Sequence, residues 1–344
     1  MTIRHVAAEA GVSLQTVSRV MNNEPNVRDA MRDRVNAAVT KLGYTPSIAA
    51  RRLAGSRSYL LLALNDRERT IEGWRLGQGN DWVDQMLYGG MLTCAEHGYR
   101  MVFELIDSRA AHVEREVMAA LSSLRPDGVI LTPPHSDNPA ITRLMEERGV
   151  PFARIGSGED GAGFAIRMDD AEAGYAATDH LLDLGHRRIG FVRGDPAYKL
   201  STDRLAGYRR ALVARGVPTD PALEQPGDFT FASGERAAAA LLALTDPPTA
   251  IVASSDQMAL AALHVAHRAG VRVPDDLSLV SFDDTPVVKF AVPPLTAVAQ
   301  PIAAMAAMAA DLLIQAAAGR DPSRERRVIP FALAKRGSTA RRDG

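Results

Sequence analysis

Polar side chains with hydrogen-bonding potential follow a glycine near the start of the chain. Gly11 separates two short amphipathic segments, and Ser13, Leu14 and Gln15 begin the second, with Arg19 one turn further on. Gln pairs bidentately with adenine, Arg pairs with guanine, and an apolar side chain can touch the thymine methyl group. A helix, a tight glycine turn and a second helix place such residues in the major groove of DNA. The alternative is a plain three-helix bundle in which these side chains face water.

Motifs for catalysis are missing. No Gly-Lys dipeptide is present, so the chain lacks a phosphate-binding loop of the Walker type. Gly77 and Gly79 begin like the Gly-x-Gly-x-x-Gly motif that binds dinucleotides, but Trp82 stands where the third glycine should be. No Gly-x-Ser-x-Gly or His-Glu-x-x-His motif is present. Cys94 is the only cysteine, which excludes an intrachain disulfide and a multi-cysteine zinc site. We therefore expect a non-enzymatic protein with no cofactor and no metal.

The first 46 residues have the periodicity of three short helices. Helices are predicted over 3–10, from 13 or 14 to 21, and over 29–42, with glycines ending the first and the third. Thr2 is a candidate cap for the first helix, and Asp29 is a candidate cap for the third because Arg28 cannot act as one.

The pattern changes after residue 57, where short apolar strands alternate with amphipathic helices. Such alternation is typical of βαβ units with helices on both faces of a parallel sheet. Because the segment is long for one sheet, we expect an α/β core of two doubly wound lobes with a ligand cleft between them. The predicted strands are 59–64, 100–106, 128–132, 152–155, 164–168, 188–193, 250–253 and 277–282, and the predicted helices include 82–97, 112–124, 171–184, 203–215, 257–269 and 303–318.

Charge is distributed unevenly along the 344 residues. Residues 1–57 hold nine basic and four acidic side chains, whereas the rest of the chain holds 31 basic and 37 acidic ones. A basic head on an acidic body indicates a polyanionic partner for the head, and the alternative is a basic face that is solvated by water. No apolar run reaches the roughly 18 residues of a membrane span, and the start lacks the apolar core of a signal peptide, so we expect a cytoplasmic protein that does not contact membranes.

Several blocks, in order along nearly the whole chain, resemble the LacI/GalR family of bacterial transcription regulators. The blocks are AAEAGVS at 7–13, TVSRVMN at 16–22, LGYTP at 42–46, ARRLAG at 50–55, HLLDLGHRRIG at 180–190, RLAGY at 204–208, SDQMA at 255–259, FDDT at 282–285, PLT at 294–296 and QP at 300–301. The stretch Asn65–Asp81 departs from the family because it is longer and more polar than the usual loop after the first core strand.

The resemblance implies a helix-turn-helix DNA-binding domain at 1–46, a hinge at 47–57 and a core at 58–344 that binds an effector and dimerises. It divides the core into an N-subdomain, about 58–158 and 301–322, and a C-subdomain, about 159–300 and 323–337. It implies that Leu53 of two chains enters the minor groove at the operator centre and bends the DNA, and the alternative is a flexible linker whose Leu53 packs on the core. The implied DNA contacts are Thr2, Ser13, Leu14, Gln15, Thr16, Ser18, Arg19, Asn22, Tyr44, Ala50, Arg51 and Leu53.

A cleft that binds a polyhydroxylated ligand needs planar polar groups for paired hydroxyls and an aromatic face. Arg204 supplies donors and Asp283 supplies acceptors, and both align with effector positions of the family. Phe229, Ser255 and Gln300 align as well, and Trp82 is expected at the cleft mouth. The alternatives are an Arg204–Asp283 structural ion pair and, for the two aromatic residues, packing in the core.

The functional interpretation is a repressor of carbohydrate catabolic or uptake genes that binds double-stranded operator DNA and is relieved by a sugar or sugar derivative. We expect a homodimer on a pseudo-palindromic site, because one head reads too few bases, and no coiled-coil tetramer, because the tail lacks leucine heptads. The alternatives are a corepressor-responsive regulator with a purine-type ligand, a ligand-binding receptor without DNA function, and an enzyme with a regulatory head.

Overall fold

The structure is a computed structural model that describes residues 1–21, 24–44, 57–77, 80–107, 111–158, 161–323 and 326–342. It divides into two compact units, Met1–Tyr59 and Leu60–Gly344, here called the head and the core. None of the described helices is long and apolar enough to cross a membrane.

The head contains the three predicted helices, α1 (Ile3–Ala10), α2 (Leu14–Met21) and α3 (Asp29–Leu42). Val6, Val17 and Val35, one from each helix, are fully buried against one another. The expected cap Asp29 is wrong, because α3 begins at Asp29 itself and the preceding Arg28 makes no side-chain cap. The Asp29 carboxylate instead lies in the first turn, where the helix dipole favours negative charge.

The core alternates strands and helices along the chain. Its strands are β1 (Leu60–Asp66), β2 (Arg100–Ile106), β3 (Gly128–Leu131), β4 (Phe152–Ile155), β5 (Phe164–Arg167), β6 (Ile189–Val192), β7 (Glu224–Gln225), β8 (Ala250–Ala253), β9 (Ser278–Asp283), β10 (Thr296–Ala299), β11 (Arg327–Val328) and β12 (Ala332–Ala334). Its helices are α4 (Arg67–Arg75), α5 (Asp81–Glu96), α6 (Val113–Leu124), α7 (Pro139–Glu147), α8 (Asp170–Asp183), α9 (Lys199–Ala214), α10 (Phe231–Leu242), α11 (Asp256–Arg268), α12 (Pro286–Lys289) and α13 (Ile302–Ala317).

Two six-stranded sheets form the two lobes of the core. The first has the order β11-β5-β4-β3-β1-β2 and is parallel throughout. The second has the order β12-β10-β9-β8-β6-β7 and is parallel except for the edge strand β12. The central strands β1, β3, β6 and β8 are almost wholly buried, as expected of parallel strands covered by helices on both faces.

The lobes exchange strands at positions that differ from the expected subdomain boundaries. β5 and β11, which the resemblance assigned to the C-subdomain, both belong to the first sheet, because β5 pairs with β4 and β11 pairs with β5. The chain therefore enters the second lobe after Arg167 rather than at residue 159, and its tail returns after Val328 rather than at 323. An apolar strand sequence indicates burial but does not identify the neighbouring strand, so the pattern alone could not fix these boundaries.

The helices α8 and α9 of the second lobe pack at unusually close range. A Cβ atom on Gly207 would lie 2.0 Å from the carbonyl oxygen of Ala171, and one on Gly174 would lie 2.2 Å from that of Arg204. Only glycine permits this approach of the two backbones. The close contact brings Arg204 of α9 beside Asp170, the first residue of α8.

Candidate functional site

The beginning of α2 presents polar side chains on the surface of the head. Ser13 Oγ accepts a hydrogen bond from Thr16 N at 3.1 Å and so caps the helix, while Gln15 is exposed and Leu14 is 44% exposed. Val17 and Val20 are buried on the opposite face, which determines the side of α2 that faces outward. The arrangement leaves the predicted base-reading residues accessible to a DNA groove.

The remaining predicted DNA contacts in the head vary in accessibility. Thr2 and Arg19 are exposed, and Thr16 and Ser18 are partly buried. Arg19 Nε lies 3.6 Å from Glu24 Oε2, and both side chains are about half exposed. Because exposed ion pairs contribute at most about 1 kcal/mol, this contact leaves Arg19 available to another partner.

Tyr44 occupies a different environment from the one that the resemblance implies. It is 8% exposed and packs in the core of the head, where its N–H donates to Val39 O at 3.0 Å after the left-handed turn at Gly43. The structure therefore makes Tyr44 a packing residue with little surface for a DNA contact. Four other implied contacts lie outside the described residues: Asn22, Ala50, Arg51 and Leu53.

The second candidate site is a cavity between the two lobes of the core, here called the interlobe cavity. Its volume is about 860 Å³, which includes space open to solvent. The walls are formed at the carboxyl ends of strands β1, β3 and β9 and at the beginnings of α5 and α11, the usual place for ligands in parallel α/β sheets. All six residues predicted to bind the effector line it: Trp82, Arg204, Phe229, Ser255, Asp283 and Gln300.

Arg204 lines the interlobe cavity but is itself 2% exposed, and each of its three nitrogen atoms contacts an acceptor of the protein. Its Nε donates to Asp170 Oδ1 at 2.8 Å, its Nη1 to Ser254 O at 2.7 Å, and its Nη2 lies 3.4 Å from Gln300 Oε1. The ion-pair partner is thus Asp170, not Asp283. Arg204 reaches the cavity as a fixed group with limited freedom to reorient toward a ligand.

Two carboxyl groups with raised pKa values lie on the same wall. Burial, together with the nearby Asp283, raises the pKa of Asp256 to about 8. Asp256 accepts hydrogen bonds from Thr285 N and Thr285 Oγ1, both at 2.7 Å, and from Ser281 Oγ. Burial also raises the pKa of Asp283, an effect that Arg204 opposes. This wall therefore combines two acidic groups whose burial disfavours the ionised form of each.

Phe229 is held in a strained backbone conformation at the cavity wall. Its φ is +70°, a region that non-glycine residues rarely occupy. Its ring and that of Tyr198 form an edge-to-face pair with centroids 5.3 Å apart, and the guanidinium of Arg69 lies 4.8 Å from the Phe229 ring centre. A Cβ atom on Gly194 would lie 2.2 Å from the ring. Since neighbours occupy much of the ring surface, Phe229 has less area for a sugar than the sequence suggested.

The three remaining predicted residues occupy the walls in different ways. Ser255 Oγ caps α11 by accepting from Met258 N at 3.3 Å, so its hydroxyl is already engaged. Gln300 is buried beside Arg204. Trp82 lies in the first turn of α5 and is partly exposed, as expected for a residue at the cleft mouth.

The long segment 65–81 contributes wall residues that sequence reasoning missed. It contains the helix α4, with Asp66 as its N-cap accepting from Arg69 N at 2.9 Å, where only an unusually polar stretch was recognised. Six of its side chains line the cavity: Asn65, Asp66, Arg69, Thr70, Asn80 and Asp81. The available signal was Asp66 at the end of an apolar strand, because Asp favours helix N-termini.

Comparison with known proteins identifies both units. Residues 2–47 match the model for bacterial regulatory proteins of the lacI family, and residues 178–339 match a periplasmic binding protein-like domain. The HTH-type transcriptional regulator CelR of Thermobifida fusca is 34% identical, with 98% of each chain covered.

Two solved structures extend the similarity to the fold of the whole chain. A transcriptional regulator CelR–cellobiose complex has 32% identity and a TM-score of 0.74, covering 98% of this chain and 99% of the other. A lac repressor dimer bound to operator and the anti-inducer ONPF has 27% identity and a TM-score of 0.79, covering 99% of each. The chain therefore belongs to the LacI family of bacterial regulatory proteins, and it is a DNA-binding transcriptional regulator with a small-molecule effector rather than an enzyme.

Proposed function

We propose that this protein is a cytoplasmic homodimeric repressor of carbohydrate catabolic or uptake genes, and that a neutral sugar bound in the interlobe cavity releases it from a pseudo-palindromic operator. Gln15 and Arg19 read bases in the major groove. Leu53, which lies outside the described residues, wedges into the minor groove at the operator centre.

The observation that carries the sugar assignment is the chemistry of the interlobe cavity. Trp82 offers an aromatic face, Asp283 offers paired acceptors, and Gln300 carries an amide. Such a combination suits a ring with several adjacent hydroxyl groups. CelR, which covers the same length as this chain, was solved in complex with cellobiose, a neutral disaccharide.

Charge in the cavity favours a ligand without phosphate. Asp66, Asp81 and Asp283 line the walls, and among the described wall residues Arg69 is the cation that remains after Arg204 has paired with Asp170. Burial and the neighbouring Asp84 raise the pKa of Asp81, so this part of the wall already disfavours negative charge. A phosphorylated sugar would add negative charge to this set. An uncharged sugar avoids that repulsion.

Repression and release follow from linkage between the two sites. If the effector and the operator favour different arrangements of the two lobes, each weakens the binding of the other by the same factor, typically 1–3 kcal/mol in free energy. If the effector is an inducer, effector and operator should each weaken the binding of the other. If it is a corepressor, each should strengthen the binding of the other.

The test has two stages with the full chain. Operators are first selected from random DNA duplexes, and the preferred duplex is then titrated by fluorescence anisotropy. Calorimetry next measures binding of cellobiose, glucose, ribose, their phosphates, adenine and guanine. We expect a neutral sugar to bind, to weaken operator binding, and to lose affinity in Asp283→Asn but not in Glu147→Gln, a change at an exposed residue of α7. Binding of a purine that strengthens operator binding would overturn the sugar assignment.

A further inference from the structure

The helix α4 is anchored firmly on the first lobe. The Arg67 guanidinium donates to both carboxylate oxygens of Glu116, at 2.7 and 3.2 Å, and to Leu105 O at 2.9 Å. Thr70, on the inner side of α4, is 3% exposed, and its carbonyl accepts from Asn80 Nδ2 at 3.0 Å. The Arg67 contacts tie α4 to the first lobe, and the bond from Asn80 to Thr70 holds the far end of the segment 65–81 against α4.

Arg69 extends from this anchored helix to the second lobe. Its Nη1 donates to Asp228 O at 2.6 Å, and its guanidinium lies over the ring of Phe229. The receiving loop is itself well fixed, because the Asp228 carboxylate accepts from Thr230 N at 2.9 Å and Asp228 N donates to Ser233 Oγ at 3.1 Å. The contact therefore joins two rigid elements, one from each lobe.

The far end of the same segment makes a second contact between the lobes. Gln257 Nε2, in the first turn of α11, lies 3.5 Å from Asp81 Oδ2, at the beginning of α5. Arg69 and Asp81 both line the interlobe cavity. The segment 65–81 thus borders the cavity and also bridges it.

Arg69 is equipped to contact a ligand while it makes this bridge. A guanidinium carries five N–H donors, and one of them is used by Asp228 O. Arg69 also lies close enough to the Asp283 carboxyl group to lower its pKa against the effect of burial. The N–H donors of Arg69 on the first lobe and the carboxyl oxygens of Asp283 on the second therefore face the same cavity. This arrangement can engage the hydroxyl groups of one ligand from both sides.

We propose that Arg69 is a ligand-binding residue of the effector site: it donates hydrogen bonds to oxygen atoms of the effector, while its contact with Asp228 and Phe229 sets how far the two lobes close around the ligand. The ligand contact rests on the proposed sugar effector, whereas the bridge between the lobes does not depend on it. The variant Arg69→Met retains a long side chain but removes every N–H donor of the guanidinium. The variant Arg69→Lys retains the charge but lacks the planar guanidinium that stacks on an aromatic ring.

The bridge is tested first, without any ligand. Nitroxide labels are attached after Glu147→Cys on α7 and Ala240→Cys on α10, both exposed, in a Cys94→Ser background. Labelled protein is mixed with excess unlabelled protein, so that each dimer carries one labelled chain, and pulsed EPR measures the distance between the labels. We expect Arg69→Met to lengthen or broaden the distance distribution, and Arg75→Met, at the exposed end of the same helix, to leave it unchanged. An unchanged distribution in Arg69→Met would overturn the bridge.

The ligand contact is tested by calorimetry with the tightest-binding neutral sugar among cellobiose, glucose and ribose. Loss of hydrogen bonds from a charged donor should lower the affinity of Arg69→Met by about tenfold or more. Arg69→Lys should fall between this variant and the parent, and Arg75→Met should bind as the parent does. Equal affinity of Arg69→Met and the parent would remove Arg69 from the effector site. If the parent binds none of these sugars, the proposed function and the ligand contact both fail, and the label distances still decide the bridge.

Discussion

Arg204 and Asp170 form a buried ion pair where α8 and α9 meet, with Nε 2.8 Å from Oδ1 and each side chain less than 10% exposed. Burial raises the pKa of Asp170, and the adjacent Arg204 opposes that rise. Two charged groups buried away from water stabilise a fold only when their mutual attraction and hydrogen bonds offset the cost of removing them from water. The pair therefore gives Arg204 a structural role in addition to its place at the cavity wall.

Removing Arg204 should destabilise the core as well as impair effector binding. Arg204→Met leaves Asp170 buried without its counterion, a change that typically costs 3–5 kcal/mol. Urea unfolding of the core, followed by far-UV circular dichroism, measures this loss. The matched control is Arg210→Met on the same helix, which breaks an exposed pair with Glu172 and should cost about 1 kcal/mol or less.

The double variant Arg204→Met, Asp170→Leu separates the two roles. Replacing both charges with apolar groups removes the unpaired carboxylate, so the free energy of unfolding should return toward that of the parent. Effector affinity should stay low because the donors remain absent. Equal stability of Arg204→Met and the parent would show that the ion pair does not stabilise the core.

The sequence predicted most of the fold because the elements that form it have strong local patterns. The apolar strands β2, β4 and β8 and the helices α1 and α3 begin and end at the predicted residues. Short edge strands such as β7 and β11 lack such a pattern, since their pairing depends on neighbours that are distant in sequence. The helix α4 was missed because most of its residues are polar and an apolar stripe is barely present.

The candidate site was predicted as a set of residues but not as a set of contacts. All six predicted effector residues line the interlobe cavity, yet the partner of Arg204 and the contribution of Arg69 depend on packing between elements. Asp170 lies 34 residues from Arg204, and Asp228 lies 159 residues from Arg69. Periodicity and motif spacing contain no information on such distances.

Gly194→Ala should disturb the interlobe cavity through Phe229. The added Cβ would lie 2.2 Å from the Phe229 ring and 2.6 Å from Ser201 Oγ, so the ring must move. Because the Phe229 ring stacks against the Arg69 guanidinium, we expect weaker effector binding together with a loss of stability of about 1–3 kcal/mol. Calorimetry and urea unfolding measure the two effects.

A suitable control for this change is Gly337→Ala. Its Cβ would meet Pro293 Cβ at 3.4 Å, an ordinary van der Waals distance, so little should change. If Gly194→Ala binds the effector as the parent does, the position of the Phe229 ring is unimportant for the site.

The buried carboxyl group of Asp256 should make stability depend on pH. Its pKa is about 8 in the folded protein against an ordinary value of 3.8, so between these values the folded state holds a proton that the unfolded state releases. Stability should therefore fall as pH rises from about 4 to about 8, by at most about 1.4 kcal/mol per pH unit, and level off above. Asp256→Asn, which cannot ionise, should flatten this slope in urea unfolding from pH 5 to pH 8.

Part of the slope should survive in Asp256→Asn, because burial also raises the pKa values of Asp170 and Asp283. Glu147→Gln, at an exposed position, should retain the full slope of the parent. A slope in Asp256→Asn identical to that of the parent would mean that Asp256 is ionised in the folded protein at neutral pH.

Gln15 and Arg19 should contribute to the choice of operator sequence rather than to general attraction to DNA. Base-edge contacts are worth about 1–3 kcal/mol each, so Gln15→Ala and Arg19→Ala should each weaken binding to the selected operator by that amount. Gln15→Ala removes no charge, so the salt dependence of its binding should match that of the parent. Asn36→Ala, an exposed polar position on α3, is the control and should leave operator affinity unchanged.

Arg19 differs from Gln15 because it has an acidic neighbour. Operator binding must displace the contact between Arg19 and Glu24, so Glu24→Gln should strengthen operator binding slightly, by less than about 1 kcal/mol. Anisotropy titrations of the four variants on operator and on scrambled duplex, at several salt concentrations, separate these effects. If Gln15→Ala and Arg19→Ala lose the same affinity on both duplexes, their side chains contact the backbone of DNA, and the assignment of α2 as the base-reading helix is wrong.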